Sequence, residues 1–161
     1  YLQCESLGLP ETKLLVLTND QARAKKVLDD KHVKNYEVDF VDNNMLPEVL
    51  KDVKYGFILR DDNAVNNVAT PTKISTYLSC GLIPIYSASL KDFSKVATNM
   101  NFAIMADSNL KDKLVALNSR TINNDDVFDE YHSVFNTYYS DDIHRKNLLN
   151  ILSKIIVVGK K

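Results

Sequence analysis

The chain has 161 residues, 45% of them hydrophobic and 25% charged, with a formal net charge of -1. One hydrophobic core commonly closes within about 100–200 residues, so a single domain over residues 1–161 is expected, and the balanced charge excludes a global pull toward nucleic acid or a membrane surface. No run approaches the roughly 18–20 apolar residues that span a bilayer, no signal-peptide pattern opens the chain and no Asn-x-Ser/Thr acceptor occurs, so a cytoplasmic setting is expected.

In chain order, the apolar run Leu14-Leu15-Val16-Leu17 predicts a strand, Thr18-Asn19-Asp20 a cap, and Gln21 to Lys31 a helix with Ala22, Val27 and Leu28 at helical spacing. Tyr36 to Val41 predicts a strand, Met45 to Lys51 a short helix, and Tyr55 to Leu59 an apolar strand. A polar loop from Arg60 to Ala69 follows. Thr70 is the expected N-cap of the next helix and Pro71 its first residue, with Gly81 at its end. Leu82 to Tyr86 predicts a buried strand, Leu90 to Ala97 a helix and Phe102 to Met105 a last strand. Helical character runs from Asn109 onward, and Asp126 to Tyr139 and Ser140 to Val157 read as two closing helices. Strands alternating with helices predict an α/β fold: a Rossmann-like, doubly wound parallel sheet with helices on both faces. No linker or internal repeat marks a domain boundary.

Ligands of such sheets bind beyond the carboxyl ends of the strands, which selects Thr18-Asn19-Asp20, the loop from Arg60 to Lys73, and Tyr86-Ser87. The middle segment carries the strongest signal. A helix N-terminus has partial positive charge and favours acidic residues, yet Lys73 stands in this first turn. A bound phosphate reverses that penalty, because free N–H groups, the hydroxyls of Thr70 and Thr72 and the Lys73 ammonium could face one anion, with Arg60 clamping a second. A first-turn lysine can also simply point into water, at a cost of about 0.3–1 kcal/mol. Asp61 and Asp62 read as turn formers. Cys4 and Cys80 are distant and lack zinc-ligand spacing, and His32, His132 and His144 form no metal or triad pattern, so no metal site and no catalytic residue are assigned. Tyr131, Tyr138 and Tyr139 are expected in core or interdomain packing. Neither GxGxxG nor GxxxxGK[ST] is present, which argues against a dinucleotide oxidoreductase and a P-loop enzyme.

The segments Gly56-Phe57-Ile58-Leu59-Arg60, Val65-Asn66-Asn67-Val68-Ala69-Thr70-Pro71-Thr72-Lys73 and Tyr77-Leu78-Ser79-Cys80-Gly81-Leu82-Ile83-Pro84-Ile85 follow one another in an order that resembles the donor-binding domain of GT-B glycosyltransferases. The resemblance is to the retaining, group 1 (family 4-like) type, especially the enzymes of bacterial surface-polysaccharide synthesis. The resemblance covers about Leu14 to Ile104 by pattern and is specific from Gly56 to Ile85. It implies transfer of a sugar from a UDP- or GDP-linked donor, with Arg60, Asn66, Thr70, Thr72, Lys73 and Thr76 around the nucleotide, no cofactor and no obligatory metal. It also implies an absent N-terminal acceptor-binding half, through which any membrane contact would come, so this half alone should bind donor and scarcely turn over. Two departures stand out: Thr76 occupies the place of a ribose-binding glutamate, and Tyr1 to Thr12 lacks the basic front loop. These leave open a non-catalytic α/β interaction module or a degenerate transferase half, and an epimerase or phosphorylase would share the same site.

Overall fold

The computed structural model describes residues 12–68 and 72–158, without the side chains of Val68 and of residues 154–158. In chain order its elements are β1 (Leu14–Leu17), α1 (Gln21–Asp30), β2 (Tyr36–Asp39), a 3-10 turn (Asn43–Met45), α2 (Leu46–Leu50), β3 (Tyr55–Ile58), α3 (Ala64–Val68), α4 (Thr72–Ser79), β4 (Ile83–Ser87), α5 (Lys91–Ala97), β5 (Ile104–Ala106), α6 (Leu110–Asn118), α7 (Asn124–Val134), a π turn (Phe135–Tyr139) and α8 (Asp141–Val158). The fold is α/β with parallel strands flanked by helices, compatible with the Rossmann-like class. The strands form two hydrogen-bonded sheets, β1-β2 and β3-β4-β5. The chain groups into two compact units: residues up to Val53 with Ala106–Thr121, and Lys54–Met105 with the residues from Ile122 onward.

In the first unit Leu14 lies opposite Tyr36 and Leu17 opposite Asp39, through the crossover helix α1. Asp20 caps α1, its carboxylate accepting the Arg23 N–H at 3.1 Å. The helix stops because the chain turns through His32 at φ 55, where the His32 N–H reaches the Asp29 carbonyl. The Tyr36 hydroxyl then ties β2 back to the end of α1 through Asp29 at 2.6 Å. Val33, Val38, Leu50, Leu114 and Leu117 are buried, but all four residues of β1 are only half-buried. This strand is less covered than a sheet enclosed on both faces requires.

The second unit holds the larger core: Ile58, Ile74, Leu78, Tyr86, Leu90, Phe93, Val127 and Tyr131 belong to one buried cluster. β4 is the middle strand of this sheet, and its residues Ile83, Pro84, Ile85 and Tyr86 are all buried. Ile83 donates to the Lys54 carbonyl at 2.9 Å, so by the alternation of a parallel ladder the Pro84 nitrogen faces away from β3 and breaks no bond there. Gly81, at φ 74, closes α4: the Leu82 N–H reaches the Tyr77 carbonyl and the Gly81 N–H that of Leu78.

The α7 helix is fixed to this sheet by two side chains. Tyr131, buried, sets its hydroxyl 2.7 Å from the Phe102 carbonyl and 3.1 Å from that of Leu82. The Glu130 carboxylate accepts the Asn101 and Phe102 N–H groups and the Asn101 side-chain amide. Two expectations differ in detail. The stretch expected as a loop contains α3, and the helix expected over Asp126 to Tyr139 gives way to a π turn after Val134; of the tyrosines expected in packing, Tyr131 is core and Tyr138 is exposed.

Candidate functional site

Because β3 and β4 are adjacent and parallel and α4 joins them, α4 must run back along the sheet, and its first turn stands at the carboxyl end of both strands. The other end of the unit confirms this direction, since the closing turn of α4 leads directly into Ile83 beside Lys54. Arg60, Thr72, Lys73 and Ser87 are therefore gathered at one rim of the second unit. Thr70 and Pro71, the expected cap and first residue of this helix, lie outside the described residues, as does Cys4.

Within this rim Thr72 and Lys73 are exposed in the first turn of α4, which contains no acidic residue. Arg60 is exposed two residues beyond β3. Neither Lys73 nor Arg60 has an ion-pair partner among the described residues. Two exposed cations and the positive end of a helix share this edge, which favours an anion, although the exposed carboxylates of Asp61 and Asp62 stand directly after Arg60. His32, His132 and His144 are exposed, and among the described residues no group of three or more His, Cys, Asp or Glu could hold a metal.

The connection from β3 toward α4 is shaped by its own side chains. Asn63 accepts the Asn66 N–H at 2.9 Å through its side-chain oxygen and so opens α3, while the Asn66 amide donates to the Asp61 carbonyl at 2.8 Å. Asn66 is thus engaged in holding the loop. Next to it the Asn67 side-chain oxygen is buried without a partner among the described residues. Asp61 and Asp62 are exposed, as solvated turn residues are.

Thr76, one turn into α4, is half-buried, and its hydroxyl leans on the Thr72 carbonyl at 3.5 Å. That contact is long, so the hydroxyl keeps most of its capacity for another partner. Tyr77 beside it lies over Gly56 and points its hydroxyl at the Phe57 carbonyl at 3.4 Å, and burial pushes its phenol above the ordinary range. A neutral Tyr77 is a packing residue under the rim.

Two serines hold Arg60. The Ser87 hydroxyl accepts the Arg60 N–H at 2.9 Å, the Ser89 hydroxyl donates to the Arg60 carbonyl at 2.8 Å, and the two hydroxyl oxygens are 2.9 Å apart. The strand-end rule singled out Ser87 as a position but gave it no role, and Ser89 had no signal, because a hydroxyl pair reaching across to a neighbouring strand end has no spacing signature in the chain. Comparison with known proteins finds no matching family model, no matching curated protein and no matching solved structure.

Proposed function

We propose that this chain binds the diphosphate of a nucleotide-sugar donor and is the donor-binding half of a glycosyltransferase. The observation that carries this reading is the pair of exposed cations, Arg60 and Lys73, which form no ion pair among the described residues, at the strand-carboxyl rim where α4 begins. The α/β fold and the resemblance from Gly56 to Ile85 support it. In this reading the free N–H groups of α4 and the Thr72 hydroxyl hold one phosphate, Lys73 neutralises it, and Arg60 clamps the other. Stabilising the leaving diphosphate is then the chief contribution of this half to sugar transfer, without an obligatory metal. UDP or GDP is the base-bearing group, the acceptor is held by a second domain, any membrane contact comes through that domain, and the setting is cytoplasmic.

Thr76 favours a second reading, a degenerate half or interaction module, because its short hydroxyl stands where the resembling enzymes use a carboxylate toward ribose. Calorimetric titration of the chain with UDP, GDP and their sugar conjugates separates the two. Saturable binding that Lys73→Ala weakens by at least about 1.5 kcal/mol supports the donor-binding reading. Absence of binding by any of these nucleotides into the millimolar range leaves the interaction module as the better account.

A further inference from the structure

The two serines at the end of β4 form a closed hydrogen-bond ring with the main chain of Arg60, and its polarity follows from counting protons. The Arg60 N–H donates to Ser87 Oγ, and Ser89 donates its one hydroxyl proton to the Arg60 carbonyl. Each serine has one proton, so the proton in the 2.9 Å contact between the hydroxyls comes from Ser87. The ring therefore runs from the Arg60 N–H to Ser87, to Ser89 and back to the Arg60 carbonyl. Each hydroxyl donates once and accepts once. Hydrogen bonds arranged head to tail in this way polarise one another.

Ser89 is 6% exposed, so its hydroxyl is withdrawn from water and held between Ser87 and the Arg60 carbonyl. The element carrying it is itself fixed, since the Leu90 N–H bonds the Ser87 carbonyl and the Lys91 N–H that of Ser89 as α5 begins. Arg60 is the first residue of the connection to be held at both its N–H and its C=O by another segment. Immediately after it, Asn66 takes the Asp61 carbonyl. The direction in which the Arg60 side chain leaves the backbone is thus set by β4 rather than by its own exposed loop.

We infer that Ser87 and Ser89 are positioning residues for Arg60, aligning its guanidinium with the diphosphate of the donor. This rests on the proposed donor-binding reading. It predicts an effect on nucleotide affinity that travels through Arg60 and is absent once the guanidinium is gone.

The test is a double-mutant cycle on the full chain, with UDP and GDP titrated into wild type, Ser87→Ala, Ser89→Ala, Arg60→Ala, Lys73→Ala and the combination of Arg60→Ala with Ser87→Ala. The expected result is a loss of about three- to tenfold in affinity for each single serine variant, no further loss when Ser87→Ala is added to Arg60→Ala, and recovery in Ser87→Thr, which keeps the hydroxyl. Serine variants that bind as tightly as wild type while Lys73→Ala weakens binding would overturn the inference and leave the donor-binding reading standing. The same holds if the Ser87→Ala loss persists undiminished in the Arg60→Ala background, which would mark the serines as general supports of the fold. Wild type binding neither nucleotide would remove the reading and the inference together. Amide hydrogen exchange in the wild type reads the ring without any variant: the Arg60 N–H should exchange more slowly than those of Asp61 and Asp62, and equal rates contradict the ring.

Discussion

Gly56 and Tyr77 meet so closely that the residue type at position 56 is decided by space. A Cβ built on Gly56 would stand 2.3 Å from Tyr77 Cδ2 and 2.4 Å from Cε2, far inside van der Waals contact, and the ring is half-buried and cannot simply swing away. Gly56→Ala should therefore lower stability by about 1–3 kcal/mol, read as a reduced denaturation midpoint with an unchanged slope. Gly81 is constrained for a different reason, its φ of 74, which an L side chain adopts only with strain. Asp107 makes a pH-dependent contribution at the same scale. The Lys113 ammonium first, and then the Asn109 N–H, hold its carboxyl below the ordinary value of 3.8. A lowered folded-state pKa means that the charged form stabilises the fold above 3.8 and that this contribution fades as the pH falls through the folded value. Thermal melts of Asp107→Asn should fall below wild type at neutral pH and converge with it on acidification below 3.8. A difference that persists undiminished into acid would show that the carboxylate charge is not its source.

At the scale of elements, the βαβ passage from β3 through α4 to β4 was the most legible part of the chain. Its apolar runs are continuous because both faces of β4 are buried, and Gly81 marks the turn that ends the helix. The short helix α3 was not legible, because Asn66 and Asn67 are poor helix formers and the cap is the side chain of Asn63, inside what reads as a polar loop. Nor was the π turn after Val134, where the periodicity continues through Phe135 and Tyr139, whose rings meet edge-on with centroids 5.9 Å apart, while the backbone widens. The separation of the strands into two hydrogen-bonded sheets has no trace in the apolar pattern, which reports burial and not partners. Tyr131 shows what the tyrosines do when they are core: burial holds its phenol far above the ordinary range, and the hydroxyl bridges the entries of β4 and β5 to α7. Tyr131→Phe keeps the ring but strips the Leu82 and Phe102 carbonyls of that partner. A loss of about 1–3 kcal/mol in urea unfolding is expected, and an unchanged midpoint would mean that water replaces the hydroxyl.

On the scale of the whole molecule, the two compact units differ in how they are built. The second has a continuous apolar cluster under its sheet, whereas the β1 strand of the first is half-buried throughout. On α8, Leu148, Leu149, Ile151 and Leu152 are all exposed, between 44% and 58%, so the closing helix is apolar on surface that the described chain leaves uncovered. Charge is spread more selectively than the near-zero net value suggests. Among the described residues Lys13, Lys51, Lys95 and Lys113 pair with Glu37, Glu48, Asp92 and Asp107, while Arg60 and Lys73 at the proposed anion rim, like Arg23, Lys25 and Lys91, form no ion pair. The rim was partly readable in the chain, since Lys73 defies the usual acidic preference of a helix start; the serine ring that holds Arg60 was not, because only folding brings residues 60, 87 and 89 together. The measurement that tests the central claim most directly is a two-dimensional amide NMR titration of the isotope-labelled chain with UDP and with GDP. Saturable shifts are expected to concentrate at Arg60, Asp61 and residues 72–76 and to be abolished in Lys73→Ala. Saturable shifts elsewhere with this rim unmoved, or no shifts at all into the millimolar range, would contradict that claim.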